Sequence, residues 1–455
     1  MSDLVPQAVN VPRDQFEFEL LPETDQSFEN ALAKARDGER LHVDDAVVLL
    51  TTGTDSDGID PVRKEAVLEA ADTHRAETVG EEVTFVANLN NNVTTACNTG
   101  CLFCNFKDTA HRFERDNPAD HGGFTKTPAT SCRIVSEAVE WGISEVCSVS
   151  GLHPALALDE EHLEILRADA NDPSLDFKPP EAYETDPGTY CEQLRAMSVD
   201  GLHVHSMTPE EAAHARRGTD WSYRTVYERM HAAGLDSAPG TAAEILVDEV
   251  RDVICPGKID TAEWVAAMEG AAEVGLGLTA TIMYGHVENE RHRAEHLRVV
   301  RDLQDRIGAI TEFVPLSFVH HDTPLYNEGI VSASSSTVED ELLIAVSRLF
   351  LDNIPNIQSS WVKYGDELGL KMLNCGANDF MGTILSEEIT KRAGGRFGEA
   401  RSVTEYVEMI DAIGRIPVER STDYRRRHRF DPADPPFGPV LGPKADGTPM
   451  LELVS

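Results

Sequence analysis

Three cysteines carry the densest chemistry in the chain. Cys97, Cys101 and Cys104 stand as C-x3-C-x2-C within residues 83–106, VTFVANLNNNVTTACNTGCLFCNF. Thiolates this close together are a natural chelate for iron–sulfur or zinc, because soft sulfur matches both. Ordinary cluster sites use four cysteines, and here no other follows before Cys132. On a four-iron cubane, three ligands would leave one iron open to a ligand from outside the protein. Two blander arrangements use the same residues: a zinc knuckle completed by His111, or three unrelated structural thiols. Cys132, Cys147, Cys191, Cys255 and Cys375 are scattered and read as small buried hydrophobes rather than a disulfide framework.

The elements that must position the thiols follow from periodicity. Val83, Phe85, Ala87 and Leu89 alternate as in a strand, and Gly100 lets the Asn- and Thr-rich continuation turn sharply, so the cysteines sit on a loop past a strand end. Ahead of them, residues 26–50 read as two helices broken near Gly38, and Pro61 to Thr78 as a third. Beyond them, short apolar strands alternate with amphipathic helices. Strands are expected at Glu145–Ser150, Gly201–Ser206, Ala242–Val247, Leu278–Tyr284, Thr311–Phe318, Gln358–Val362 and Lys371–Leu373. Helices are expected between most of them, and an irregular Pro-rich stretch spans Asp169 to Pro187. Repeated strand–helix units imply parallel pairing, and eight strands favour a (β/α)8 TIM-type α/β barrel, whose active site lies at the carboxyl ends of the strands. The expected organisation is an N-terminal helical extension (1–80), the barrel (81–420) and a C-terminal tail (421–455) that is extended from Asp431 onward.

Composition narrows the partners. Among 455 residues, 79 are acidic and 40 basic, giving a net charge of −39. The excess runs along the whole chain, as expected of a surface adapted to high salt, where repulsion is screened. That halophilic reading predicts that stability falls as salt is removed; denaturation followed across a salt titration checks it, and full stability in dilute buffer would count against it. The same charge excludes nucleic acid as a natural partner, because phosphates are repelled. No apolar run approaches a membrane span, and the start, MSDLVPQAVNVPRDQF, has no apolar signal region, so a cytoplasmic protein is expected.

Phe103 directly precedes the third cysteine, and C-x3-C-x-aromatic-C after a strand resembles the signature of the radical S-adenosylmethionine (SAM) superfamily. The resemblance implies a [4Fe-4S] cluster held by Cys97, Cys101 and Cys104, with SAM on the open iron cleaved to a 5′-deoxyadenosyl radical. The blocks SVSGLHPALALDEEH, GLHVHSMTPEE, PGTAAEILVDEVRDVICPGKIDTAEW, ATIMYGHVEN, FVPLSFVHHDTPL and CGANDFMGT follow in order. They resemble the group holding the deazaflavin (FO) synthase subunits and the futalosine enzymes of the menaquinone pathway. The long helical extension and the GLHPALALDEEH block are most similar to the family of FO synthase subunit 2. That family implies cleavage of the Cα–Cβ bond of L-tyrosine and transfer of a 4-hydroxybenzyl fragment to 5-amino-6-(D-ribitylamino)uracil, toward FO and coenzyme F420. FO synthase subunit 1 then closes the ring, and an electron donor such as ferredoxin or flavodoxin is implied. The alternatives are a futalosine-pathway enzyme or, outside enzymes, an iron–sulfur or zinc electron-transfer or structural protein.

The resemblance also directs attention to further residues. Phe103 would pack beside the cluster, and Ser150 and Gly151 match the strand end that meets the SAM amino group. Glu244 suits ribose hydroxyls and Arg251 the SAM carboxylate; the plainer arrangement is an exposed helix pair of Asp248 or Glu249 with Arg251. His203 and His205 share one face of a strand and could bind tyrosine or shuttle a proton, or be core histidines. Tyr284, His286 and Glu288 alternate at a strand end and could line the substrate cavity. His320 and His321, adjacent on a strand, would point oppositely and share no metal. Asn378 and Asp379 sit in a Gly-bounded turn that could bind the ribityluracil or cap a helix. The basic run Arg425 to Arg429 reads as a salt-bridged surface.

Overall fold

The computed structural model describes residues 27–52, 60–117, 122–140, 142–199, 201–384, 401–425 and 427–430. The start of the chain and the tail from Asp431 lie outside the described residues.

β1 (Glu82–Val86) runs into β2 (Asn88–Asn90) with only Ala87 between them. β2, β3 (Glu145–Ser148), β4 (His203–Ser206), β5 (Ser237–Ala238), β6 (Gly277–Tyr284), β7 (Ile310–Ser317) and β8 (Asn356–Ile357) lie side by side in chain order, each parallel to the next. β9 (Asp379–Gly382) pairs in parallel with β1, Thr84 opposite Asp379. Just past β8, the Ser359 N–H donates to the Asp379 carbonyl at 2.8 Å. β9 therefore ties the two ends of the curled sheet together, and the expected α/β barrel is the architecture. Helices on the outside bury one apolar stripe each against this sheet, as the helix Glu290–Ile307 does with Leu297, Val300 and Leu303. The amino-terminal helices Val43–Thr51 and Pro61–Val79 pack on Glu290–Ile307 and Thr337–Phe350 respectively. Among the described residues, no helix is long and apolar enough to cross a membrane.

Three expected strands fall elsewhere. Ala242–Val247 is a loop, not a strand: Pro239 and Gly240 end β5 after two residues, and Ala242 and Glu244 take left-handed φ values of 80° and 46°. Its apolar side chains Ala243, Ile245 and Leu246 are buried without pairing into a sheet, which is why the run imitated a strand. Gln358–Val362 begins just past β8, and from Trp361 to Met372 the chain is helical on both sides of a kink at Gly365, which takes Lys371 out of any strand. The last barrel strand begins instead at Asp379, the residue expected in a turn.

Gly240 shows how tightly β5 is held. A Cβ there would lie 2.2 Å from the Thr279 carbonyl oxygen on β6. Gly240→Ala must push two backbones apart, and a loss of about 1–3 kcal/mol is expected, typical of overpacking. The denaturant midpoint in concentrated salt measures it.

The carboxyl-terminal segment joins the barrel. β10 (Ile416–Arg420) lies parallel to β1, and β11 (Arg427–Arg429) folds back antiparallel on β10. This brings Arg420, Thr422 and Tyr424 against Glu145 and Asp379, the first residues of β3 and β9, and Glu312 near the start of β7. The amino-terminal mouth of the barrel is thereby filled by side chains from the end of the chain. Arg427 meets Glu82 at 3.1 Å on the exposed rim, so that part of the basic run is an ion-paired surface.

Candidate active site

The cysteine loop leaves the carboxyl end of β2 and is closed at its neck by its own backbone. The Cys97 N–H donates to the Asp108 carbonyl at 2.9 Å, and the Asp108 N–H to Thr95 at 2.8 Å. Its apex is pinned from both sides, Leu102 N–H to the Ile254 carbonyl (2.8 Å) and Leu325 N–H to the Leu102 carbonyl (3.0 Å). The Lys107 ammonium caps the Cys101 carbonyl at 2.7 Å. Gly257 lets the following segment lie against this loop, since a Cβ there would meet the Thr99 carbonyl at 2.3 Å.

Cys97, Cys101 and Cys104 line a single cavity of about 230 Å³ at the carboxyl ends of the strands, together with Phe103, Ser150, Gly151 and Glu244. Burial pushes the Cys101 thiol well up and the Cys104 thiol up, so a metal that binds here must displace protons. Among the described residues, no three His, Cys, Asp or Glu side chains converge as a single ion requires. His111 is exposed and absent from the cavity wall, so the zinc knuckle is not formed. A cubane asks for something different, since each thiolate takes its own iron. Three soft donors facing one cavity, with space beside them for a further ligand, fit that group.

The strand end at Ser150–Gly151 is clipped to the base of the same loop. The Ser150 hydroxyl accepts from the Val93 N–H at 2.6 Å, and the Gly151 N–H donates to Thr94 at 2.8 Å. A side chain at Gly151 would collide with the Ala96 carbonyl at 2.5 Å, so the residue sits there for close backbone approach. Glu244 reaches the cavity from its left-handed loop position. Arg251 does not line the cavity: its guanidinium donates to the carbonyls of Ala242, Ala243, Ile245 and Ile259. Its side chain is buried rather than paired on an exposed helix, and its fork shapes the Glu244 loop rather than meeting a ligand carboxylate. The cations in the wall are instead Lys107, Lys258 and Lys363, with Thr208 and Glu210 beside Lys258. Sequence reasoning passed over Lys258, Thr208 and Glu210. Their signals were a Pro-Gly-Lys turn after Cys255 and a Thr-Pro-Glu-Glu helix start after β4.

The other candidates stand away from the cavity wall. His203 and His205 do point into the barrel, both ring systems meeting the Ser237 hydroxyl at 2.7 Å, one layer toward the amino-terminal mouth. Tyr284 is directed outward, donating to Asp340 at 2.7 Å beside the Tyr364 hydroxyl. His286 is fully buried against Glu288 at 3.0 Å, and Glu288 also takes the Gly285 N–H and Arg293. Burial alone would raise Glu288, but His286, Arg293 and these bonds hold it well below the usual carboxylate range. Tyr284, His286 and Glu288 therefore form a structural corner. β7 ends at Ser317, so His320 and His321 lie in a loop where strand alternation no longer applies, and their ring centres lie 4.0 Å apart at a tilt of 40°. Asn378 is bound by Arg348 at 2.6 Å and Asp379 by Arg420 at 2.6 Å, both buried far from the cysteines.

His205 makes a pH prediction. Burial first, then His203 and Arg420, lower it to about 4, against the pull of Glu145. Its ordinary value is about 6.5, so between there and pH 4 the unfolded chain takes up a proton that the folded chain refuses. The stability it contributes is present above pH 6.5 and lost on acidification, at about 1.4 kcal/mol per pH unit. Unfolding of His205→Gln between pH 7 and 4 is expected to show a slope shallower by one proton.

A curled parallel sheet with three cysteines on the loop past its first strand defines a radical SAM barrel. The Radical SAM superfamily matches residues 91–300, and the CofH/MqnC C-terminal region matches residues 307–432. A methylornithine synthase shares the fold at a TM-score of 0.59 and 17% identity, over 87% of this chain and 98% of that one. The 5-amino-6-(D-ribitylamino)uracil–L-tyrosine 4-hydroxyphenyl transferase of Haloarcula marismortui is 70% identical over 98% of this chain and 99% of its own length. That of Halobacterium salinarum is 68% identical over 96% of each. The chain belongs to this transferase family.

Proposed function

We propose that the chain cleaves the Cα–Cβ bond of L-tyrosine and transfers the 4-hydroxybenzyl fragment to 5-amino-6-(D-ribitylamino)uracil, a step toward FO and coenzyme F420. The observation that carries this reading is the 70% identity, across 98% of the chain, to a transferase named for those two substrates. Cys97, Cys101 and Cys104 hold the [4Fe-4S] cluster, which together with SAM supplies the hydrogen-abstracting radical chemistry. The chain's own part is to bind, orient and exclude water. Met283, Leu316 and Phe318 make an apolar side of the cavity suited to an aromatic ring, while Thr208, Glu210, Thr241, Glu244 and Lys258 offer polar groups for hydroxyls and an amino acid headgroup. Ser150 and Gly151 present backbone at a fixed strand end. His203 and His205 act beneath the cavity as supports rather than as catalytic residues. FO synthase subunit 1 takes the product onward, and a ferredoxin or flavodoxin in the cytoplasm supplies the electron.

The test is anaerobic reconstitution of the full chain, followed by mass analysis after incubation with SAM, a reductant, tyrosine and the ribitylaminouracil. A coupled product bearing the tyrosine-derived ring is expected. Consumption of SAM without that product would exclude the transferase reading and leave a futalosine-type reaction as the alternative.

A further inference from the structure

Lys258 is a buried charge in the cavity wall. Its side chain is 8% exposed, and its Nζ lies 2.8 Å from Glu244 Oε1, whose side chain is 12% exposed. The ammonium stands 5.7 Å from the centre of the Phe103 ring, between the second and third cysteines. Glu210 shares the same wall, its carboxylate accepting the Ile259 N–H at 3.3 Å. Taking such a pair out of water is costly, and it persists only where the surroundings impose it.

The surroundings do impose it. Glu244 is held at φ 46°, a left-handed conformation that strains any residue with a side chain. Arg251 enforces that shape by gathering four carbonyls, three of them from the same loop. Gly257 brings the Lys258 segment onto the cysteine loop, closer than any other residue would allow. Three devices thus converge on placing the Lys258 ammonium in the wall it shares with Cys101, on whose carbonyl Lys107 sets a second cation. Lys258 and Cys101 line the same cavity wall, with the Phe103 ring 5.7 Å from the ammonium. In a low-dielectric site such a charge acts strongly on any further negative charge placed next to it.

We propose that Lys258 is a positioning charge for electron transfer: it compensates the negative charge gained when the cluster on Cys97, Cys101 and Cys104 accepts one electron from an external reductant, and so raises the cluster's midpoint potential, while Glu244 opposes it. The inference rests on the assignment of the cluster to these cysteines. The step involves one electron entering and no bond made or broken, so the reductant used in the experiment completes the balance.

The experiment is an EPR-monitored redox titration of the reconstituted full chain without SAM, for the wild type, Lys258→Met, Lys258→Arg and Glu244→Gln, with iron content measured on each. In Lys258→Met the ratio of reduced to oxidised cluster at a fixed potential is expected to fall about tenfold, equivalent to about 59 mV for one electron. Lys258→Arg is expected to restore the wild-type value, and Glu244→Gln to move it the opposite way. A common direction for Lys258→Met and Glu244→Gln, or no shift in either, would overturn the inference and identify a packing role. Loss of iron from Lys258→Met and Lys258→Arg alike would overturn it as well. Wild-type chain that takes up no iron would instead overturn the cluster assignment beneath it.

Discussion

Cys101→Ala is expected to lose SAM cleavage and product formation by roughly 10³-fold or more, because the cofactor performs the difficult step and the protein cannot replace it. The same loss is expected for Cys97→Ala and Cys104→Ala, since none of the three has a substitute. His111 is exposed and Cys255, although buried in the same apolar cluster as Cys101, does not line the cavity. Cys132→Ala is the matched control: its thiol is exposed on a surface helix and is expected to leave iron content and turnover unchanged. Iron content per chain and 5′-deoxyadenosine release, measured together, separate a lost cluster from a lost fold.

Arg420→Met is expected to be the most destabilising single change, at about 3–5 kcal/mol, the range for breaking a buried charge pair from one side. Arg420 is 2% exposed and donates to Asp379 at 2.6 Å and to Glu312 at 2.9 Å, both in the amino-terminal mouth of the barrel. The Tyr424 ring covers the guanidinium at 4.2 Å, and the Tyr424 hydroxyl bonds to both carboxylates. Removing the cation leaves two carboxylates facing each other without water. Burial already lifts Glu312 to about 7 despite Arg420, so without the arginine it takes a proton more readily still. The loss should accordingly be smaller at pH 5 than at pH 8, because protonation relieves the repulsion. Arg427→Met is the contrast: its pair with Glu82 is 40% and 33% exposed, and an effect below about 1 kcal/mol is expected. Denaturant unfolding at the two pH values in concentrated salt measures both.

These contrasts show where the chain is legible and where it is not. The cysteine spacing states its chemistry locally, and long strands such as β6 and β7 display enough alternation to be read. β5 and β8 are two residues each, too short to carry any period, while the apolar loop Ala242–Val247 beside one of them mimics a strand. Arg251, expected to meet a ligand carboxylate, is taken up by loop carbonyls, while Lys258, to which the sequence reading gives no role, lines the cavity. Nothing local reveals that carbonyls converge on the first, or that Gly257 carries the second into the cavity. Strand β10 is opaque for another reason: its partner β1 lies more than three hundred residues earlier, and the meaning of Arg420 depends wholly on Glu312 and Asp379. The fold class and the cysteine loop are legible locally; the electrostatics of both barrel ends are products of tertiary assembly.

The central claim is that Cys97, Cys101 and Cys104 would hold a [4Fe-4S] cluster at the cavity they line, where it would supply the chemistry of SAM cleavage. The most direct measurement is the EPR spectrum of the reduced, reconstituted chain before and after SAM is added. A [4Fe-4S] signal from about four irons per chain, altered in shape and g-values by SAM, is the result this account predicts. A signal indifferent to SAM, or a chain that loads a single zinc and no iron, would contradict it.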